Sequence, residues 1–267
     1  MLTPLLHPTS YVEALLSVGL MCMLLTLVGL GMGYGAEAYL WSRGRKVFDV
    51  PKRPGQLQHE LLGTVLFHLL YVPVMAWVMW KGGLTFKSGL LPELLGFFVP
   101  WYGFQFYYYF MHRAMHTSPL YWAHKWHHLS MVTSPMTGFS MHPVETVGWI
   151  IGMLVPPVLL SQADLLGFWG FAAFFSMFWT GNIAGHANAE YMAWPSTRLS
   201  TIFISNPISY HSLHHARFLG HYSFVCATMD RLMGTEFPDW LAIHRKVFSG
   251  HPLQSLHEKG EILDERQ

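Results

Sequence analysis

The amino-acid sequence predicts an all-α, integral-membrane helical bundle: three transmembrane helices plus a helical hairpin, with a histidine-rich cap on one membrane face. Hydrophobic residues make up 52% of the 267 residues, and charged residues only 12%. Soluble domains average about 25% charged residues. The chain nevertheless carries 17 histidines, and its formal net charge is +1. This composition argues against a disordered chain and against a nucleic-acid partner, which would require an excess of basic residues.

Stretches without Asp, Glu, Lys or Arg predict the membrane helices, because about 20 mostly apolar residues are needed to cross a bilayer core. The stretches 14–36, 61–80 and 94–112 are predicted to be the three transmembrane helices. Two further stretches, 146–163 and 165–189, are predicted to form the helical hairpin, which either crosses the membrane fully or enters it part-way. The aromatic run 104–110 fits either a belt at the membrane interface or the lining of a lipid access route.

The distribution of basic residues predicts the orientation in the membrane. The loop after the first helix contains Arg43, Arg45, Lys46, Lys52 and Arg53. The opposite side carries only Lys81 and Lys87. Because cytoplasmic loops are enriched in Lys and Arg, the loop 42–59 is predicted to be cytoplasmic, with the histidine clusters on the same face.

The histidines fall into three boxes: His112 and His116; His124, His127 and His128; and His211, His214 and His215. Offsets of three and four residues place side chains on one helix face, so two or three imidazoles from one face are expected to converge on one metal ion. Neutral imidazole binds iron, zinc, copper and nickel. With His186, which follows the predicted hairpin on the same face, the imidazoles outnumber the about four to six ligands that one ion holds. Two metal ions are therefore predicted.

Five further residues are candidates either for direct ligation or for orienting the ligands by hydrogen bonds: His142, Glu145, Asn188, Glu190 and His221. Beyond the metal ligands, no other catalytic side chain is predicted.

The residues leave three functions open. Oxidation of an unactivated C–H bond in a lipid needs a redox-active metal such as imidazole-bound iron. A zinc-dependent membrane lipid hydrolase or lyase needs a carboxylate base beside an open metal position, for which Glu190 is the candidate. A non-catalytic metal carrier or haem-type electron-transfer protein would place ligands inside the apolar helices, where the sequence offers only His68.

Six motifs together resemble those of the fatty acid hydroxylase/sterol desaturase superfamily. The members of this superfamily are integral-membrane non-haem di-iron oxygenases. The six motifs are HRAMH (112–116), HKWHH (124–128), HPVE (142–145), GHAN (185–188), HSLHH (211–215) and MDRLMGT (229–235). The resemblance implies two iron ions bound by His112, His116, His124, His127, His128, His186, His211, His214 and His215. It also implies O2 as co-substrate and hydroxylation or desaturation of a fatty acyl or sterol-like membrane lipid.

The same resemblance divides the chain into an N-terminal transmembrane region (1–93), a catalytic region (94–236) and a C-terminal cytoplasmic tail (237–267). It also implies an external electron donor: a ferredoxin, a cytochrome or a flavoprotein reductase. Cys22 and Cys226 are too few for an iron–sulfur cluster, so the electrons are expected to come from such a partner. This partner is predicted to dock near the basic segment 42–53.

Overall fold

The structure, a computed structural model, describes residues 8–193 and 205–262. Within these ranges the chain forms nine α-helices and one short 3-10 helix, Pro135–Phe139. The α-helices are α1 (Tyr11–Trp41), α2 (Gln56–Trp80), α3 (Leu90–Met115), α4 (Tyr121–His128), α5 (Pro143–Gln162), α6 (Phe168–Ala184), α7 (Ile208–Arg217), α8 (Thr228–Met233) and α9 (Trp240–Phe248). The all-α prediction is confirmed.

Three of the described helices are long and apolar enough to span a membrane: α1, α2 and α5. The first two contain the predicted spans 14–36 and 61–80, and α5 is the first arm of the predicted hairpin. The predicted third span, 94–112, lies within α3, but its tyrosines and Gln105 make that helix less apolar than the others. The second hairpin arm, α6, has 17 residues and is shorter than the about 20 that cross a bilayer core.

Helices α3 and α6 approach each other closely because small residues line their contact. A Cβ atom on Gly170 would lie 2.0 Å from the carbonyl oxygen of Glu93. The Glu93 carboxylate also accepts a 2.7 Å hydrogen bond from the Gly170 amide in the first turn of α6. Glycine at such a crossing allows two helix backbones to pack directly. This contact fixes the direction of α6, whose other end leads to His186.

A polar link joins α1, α2 and α6 inside the apolar bundle. The Trp179 indole donates to Thr26 Oγ1 over 2.9 Å, and the same oxygen lies 2.9 Å from His68 Nε2. The other nitrogen of His68, Nδ1, is 2.7 Å from the Thr64 carbonyl oxygen. Buried polar groups are tolerated in such surroundings only when they are partnered. His68 is therefore a packing residue, and it belongs to no metal-binding group of the described residues.

A second hydrophobic core lies outside the long helices and forms a cap. Phe48, Tyr210, Trp240 and Leu253 are fully buried in it and pack α7 and α9 against the segment after α1. Residues 237–262 of the predicted tail thus include part of this core, whereas residues 263–267 lie outside the described ranges. The cap holds α7, and with it the third histidine box.

Candidate metal centre

The histidines predicted as ligands gather into two adjoining clusters. The first cluster consists of His112, His116, His124, His128 and His214, and the second of His127, His186, His211 and His215. Within each cluster the ligand nitrogens all lie within 4.8 Å of one another. Rings of different clusters are also in contact, since the ring centroids of His128 and His215 are 4.8 Å apart. The structure therefore brings all nine predicted ligands into one site with two centres.

Each of the two longer boxes divides its histidines between both clusters. In α4, His124 and His128 join the first cluster and His127 the second; in α7, His211 and His215 join the second and His214 the first. On an α-helix, residues i and i+4 differ by about 40° in direction, whereas i+3 points about 60° to the other side of i. We expected two or three imidazoles of one face to meet at one ion. In each longer box two imidazoles meet at one centre, within that expectation, and the third joins the other centre, which links α4 to α7.

The spacing of the ring nitrogens fits metal ligation. The Nε2 atoms are 3.0 Å apart between His112 and His124, and 3.1 Å apart between His124 and His128. In the second cluster, His211 Nε2 lies 3.0 Å from His186 Nε2 and 3.2 Å from His215 Nε2. Two nitrogens each about 2.1 Å from one ion, at right angles to each other, are separated by about 3 Å. Both clusters therefore have room for one ion at ordinary bond lengths.

Backbone carbonyl groups set which ring nitrogen faces the centre. Five rings donate from Nδ1 to a carbonyl oxygen: His112 to Tyr222 (2.8 Å), His127 to Ser140 (3.2 Å), His186 to Asn182 (2.6 Å), His214 to Gly220 (2.7 Å) and His215 to Ser130 (3.1 Å). A carbonyl oxygen only accepts, so in these rings Nδ1 carries the proton. A neutral imidazole has only one N–H, and each Nε2 therefore presents a lone pair to its cluster. This is the arrangement of histidine ligands in metal sites.

The contact between His112 and His124 lies inside the first cluster. Their Nε2 atoms are 3.0 Å apart, and His124 Nδ1 lies 3.0 Å from Glu145 Oε1. The bond from His112 Nδ1 to the Tyr222 carbonyl oxygen leaves His112 Nε2 as an acceptor, which binds either a proton donor or a metal ion.

Burial keeps the imidazoles neutral. Burial is the main cause that lowers the pKa of His127 to about 3, of His186 to about 4 and of His116 to about 2, and neighbouring histidines contribute for His127 and His116. The pKa values of His124, His128, His211, His214 and His215 also fall well below the ordinary value, with burial as the main cause. Because only the neutral ring ligates, no proton competes with a metal at neutral pH.

Glu60 organises the loop behind the second cluster. Its buried carboxylate accepts hydrogen bonds from the hydroxyl groups of Ser130 (2.8 Å), Ser134 (2.6 Å) and Thr137 (2.7 Å). The carbonyl oxygen of Ser130 in turn accepts from His215. The sequence alone gave Glu60 no individual role. Its signal is an acidic residue directly before an apolar stretch, together with a group of Ser and Thr residues after the second box.

Asp230 has the same function for the first cluster. Its carboxylate accepts from the backbone amides of Tyr222 (2.8 Å) and Ser223 (2.9 Å), and from the hydroxyl groups of Thr235 (2.7 Å) and Tyr210 (3.1 Å). The loop held in this way supplies the carbonyl oxygens that bind His112 and His214. Asp230 lies in the MDRLMGT motif, but the sequence alone gave it no individual role.

Glu190 and Asn188 also position ligands and lie outside both clusters. The Glu190 carboxylate accepts from the Ser209 amide at the start of α7 over 2.8 Å, and lies 3.3 Å from His244 Nδ1. The Asn188 side chain bonds both the amide and the carbonyl of Phe48, each over 2.8 Å. Glu190 thus caps the helix of the third box, and Asn188 ties the chain after His186 to the basic segment.

The other three candidates differ in their positions. Glu145 Oε1 lies beside His124 Nδ1, on the side of that ring that faces away from the first cluster. His142 is the N-cap of α5 and accepts from the Val144 amide over 3.2 Å, apart from both clusters. His221 donates to the Tyr210 carbonyl oxygen (2.9 Å) and accepts from the Phe237 amide (2.8 Å), so both of its ring nitrogens are occupied by the backbone.

A cavity of about 480 Å³ opens between α3 and α6 and reaches His186 and His211 of the second cluster. Phe97, Trp101 and Phe178 are among its walls, and about half of the surface of Phe98, Tyr102 and Met177 at its border is exposed. Among the described residues, the aromatic side chains that α3 contributes to the lining come from 97–102, and the run 104–110 contributes none. The described lining of this cavity is mainly apolar.

The role of Asp230 predicts the behaviour of Asp230→Asn. The amide would turn a donor toward groups that are themselves donors, and the loop 220–223 would shift away from His112 and His214. Affinity for the metal of the first cluster is expected to fall about 10- to 100-fold, as for other residues that orient histidine ligands. When purified protein is treated with increasing chelator, one ion should be released at a lower chelator concentration than in the unmodified protein, and the release of the other should be unchanged. Asp49→Asn, at an exposed pair with Lys46, should retain both; equal weakening of both ions by Asp230→Asn would contradict this role.

Comparison with known proteins agrees with this site. Residues 97–235, about half of the chain, match the fatty acid hydroxylase family. A very-long-chain aldehyde decarbonylase of Arabidopsis thaliana is 32% identical over 142 residues, covering 49% of this chain and 21% of that protein. A Dictyostelium discoideum protein provisionally named a methylsterol monooxygenase is 32% identical over 138 residues, covering 49% of this chain and 46% of that protein.

The match covers less than half of the length of either relative. No solved structure matches the chain. The matched residues include both histidine clusters and Asp230. This chain is a membrane protein that belongs to the fatty acid hydroxylase family.

Proposed function

We propose that this protein is a di-iron oxidoreductase that uses O2 and external electrons to hydroxylate or desaturate a membrane lipid. The observation that carries the proposal is the pair of adjoining clusters made only of imidazoles, reached by an apolar cavity between two helices of the bundle. The names of the two relatives support a lipid substrate, since one refers to a very-long-chain aldehyde and the other to a methylsterol.

In this proposal the protein's own residues bind the iron ions, orient the lipid and exclude water. Five imidazoles would hold one iron and four the other, each through Nε2. Bound iron would supply the O2 activation that oxidation of an unactivated C–H bond requires. The buried rings keep bulk water out, and the cavity aligns a hydrocarbon against the second cluster at His186 and His211.

The zinc-dependent hydrolase or lyase is less well supported by the geometry. No carboxylate among the described residues takes part in either cluster. Glu190, the candidate base, is bonded to the start of α7, and Glu145 approaches His124 from the side that faces away from the cluster. Five imidazoles at one centre also exceed the four ligands that zinc usually takes, whereas a six-coordinate ion would keep one position open.

The proposed electron donor is a ferredoxin, a cytochrome or a flavoprotein reductase that docks on the basic segment 42–53. Arg43, Lys52 and Arg53 are exposed there. Asn188 joins this segment to the chain that leads from His186, so a docked donor would lie on the same part of the cap as the second cluster. An acidic donor would be attracted to this surface, and its coupling would weaken with rising salt.

The proposed localisation is a multi-pass membrane protein with the histidine boxes on the cytoplasmic face. The support is the excess of basic residues in the loop between α1 and α2, which cytoplasmic loops typically carry.

The reaction class predicts a requirement for O2, a reductant and iron. Purified protein should convert a labelled lipid extract only when all three are present, because each turnover of an oxygenase or desaturase consumes two external electrons. Lipid products would be followed by mass spectrometry, with zinc-loaded protein as the matched control. Product formed without O2, or equally well with zinc, would contradict the proposed reaction.

The division of the boxes predicts which ion each histidine variant loses. His128→Ala or His214→Ala should lower iron from about two to about one per chain by weakening the first centre, and His127→Ala or His215→Ala should do so at the second. All four variants should lose activity yet insert into the membrane, since the long helices are unchanged. His251→Ala, exposed and outside both clusters, is the control. Full activity in any two of the four would rule out the two-centre assignment.

The orientation predicts opposite labelling of two exposed serines. In intact cells, Ser42→Cys after α1 should be protected from an impermeant thiol reagent, whereas Ser88→Cys between α2 and α3 should react. The two native cysteines are buried and should contribute little background. Labelling of both positions, or of Ser42→Cys alone, would refute the cytoplasmic placement of the boxes.

A further inference from the structure

One side chain in the cavity has no role in the metal site. Asn206 is 6% exposed, and neither its Oδ1 nor its Nδ2 has a partner among the described residues. Asn182 lines the same cavity; its Nδ2 donates to the Gly138 carbonyl oxygen over 2.6 Å, but its Oδ1 is unpartnered within the described part of the chain. Buried polar atoms in native proteins are nearly always paired, so these atoms point to a ligand that pairs with them.

The lining of the cavity restricts the chemistry of that ligand. The unpartnered groups are neutral amides, which supply hydrogen bonds and no counter-charge for an anionic headgroup. The unpartnered atoms are two acceptor oxygens and one donor group. An ether, an aldehyde or an ester only accepts hydrogen bonds and would leave both oxygens unpaired. A hydroxyl group both donates and accepts.

Asn206 is also held firmly relative to the second cluster. Its backbone amide donates to the Val225 carbonyl oxygen, and it lies two residues before α7, the helix that carries His211. A group bound by Asn206 is therefore at a fixed distance from the metal ligands, while the hydrocarbon lies along aromatic residues such as Trp101 and Phe178.

We propose that Asn206 binds the hydroxyl group of an uncharged lipid alcohol, and that this contact selects the substrate and sets its position in the cavity. The inference rests on the proposed function, in which the cavity is the lipid site. It assigns a positioning and specificity role to a residue outside the histidine boxes.

The test is equilibrium binding of tritiated lipids to iron-loaded protein without reductant, so that no turnover occurs. Hexadecanol is compared with hexadecyl methyl ether and with hexadecanoate, and cholesterol with its methyl ether, which separates a straight-chain alcohol from a sterol. For the skeleton that fits the cavity, straight chain or sterol, the alcohol should bind about five- to tenfold more tightly than its methyl ether. This is the gain expected from one or two hydrogen bonds in a buried site. Hexadecanoate should bind more weakly than hexadecanol.

Asn206→Leu keeps the side-chain volume but removes the amide, so the alcohol and its ether should then bind about equally. Met177→Leu, an apolar change in the same lining, should keep the preference. Equal binding of alcohol and ether to the unmodified protein for both skeletons would overturn the inference, and this comparison does not depend on the variant folding. A preference that persists in Asn206→Leu would overturn it as well.

The outcomes separate the inference from the proposed function. O2-dependent lipid oxidation without any preference for the alcohol would overturn only the role of Asn206. A preference for the alcohol that Asn206→Leu abolishes, in a protein without O2-dependent turnover, would support the binding site and contradict the proposed reaction.

Discussion

The site depends on the hydrogen bonds between histidine Nδ1 atoms and backbone carbonyl oxygens. Each bond fixes the tautomer of a neutral ring and commits its Nε2 lone pair to the centre of a cluster. Without these bonds, nine imidazoles packed together would adopt many patterns of donors and acceptors. With them, five of the nine rings present Nε2 to the clusters as an acceptor. Each cluster is therefore a set of imidazoles able to bind a metal ion.

The carbonyl groups must themselves be held, and buried carboxylates do this. Glu60 binds the loop that contains Ser130, Asp230 the loop that contains Tyr222, and Glu190 the first turn of α7. Each carboxylate accepts several hydrogen bonds from neutral donors, which offset much of the cost of burying a charge. The carboxylates that support the ligands therefore lie in the part of the chain from α2 to α8. A change far from the histidines in sequence can consequently disturb metal binding.

The division of the two longer boxes between the clusters also has a mechanical consequence. Because α4 and α7 each contribute to both clusters, loss of a bound ion from either cluster would loosen the contact between these helices. The metals would thus stabilise the cap in addition to any chemistry. The cap core around Trp240 supports the same helix from the other side.

The sequence predicted the helical class, the apolar helices α1 and α2 and all nine clustered histidines, because composition and spacing are local signals. It did not predict that His127 and His214 cross to the other cluster, since helix periodicity gives the direction of a side chain but not its partner across the fold. Glu60 and Asp230 were missed for a related reason: their roles depend on loops distant in sequence. The lining of the cavity by 97–102 instead of 104–110 follows from how α3 packs against α6, which the aromatic pattern alone does not contain.

The two clusters can be tested as metal centres by locating the metal in iron-loaded protein from anomalous scattering at the iron absorption edge. We expect two iron ions, one contacting Nε2 of the five histidines of the first cluster and the other contacting Nε2 of the four histidines of the second. A single ion, or ligation through Nδ1 with the carbonyl bonds broken, would contradict this expectation.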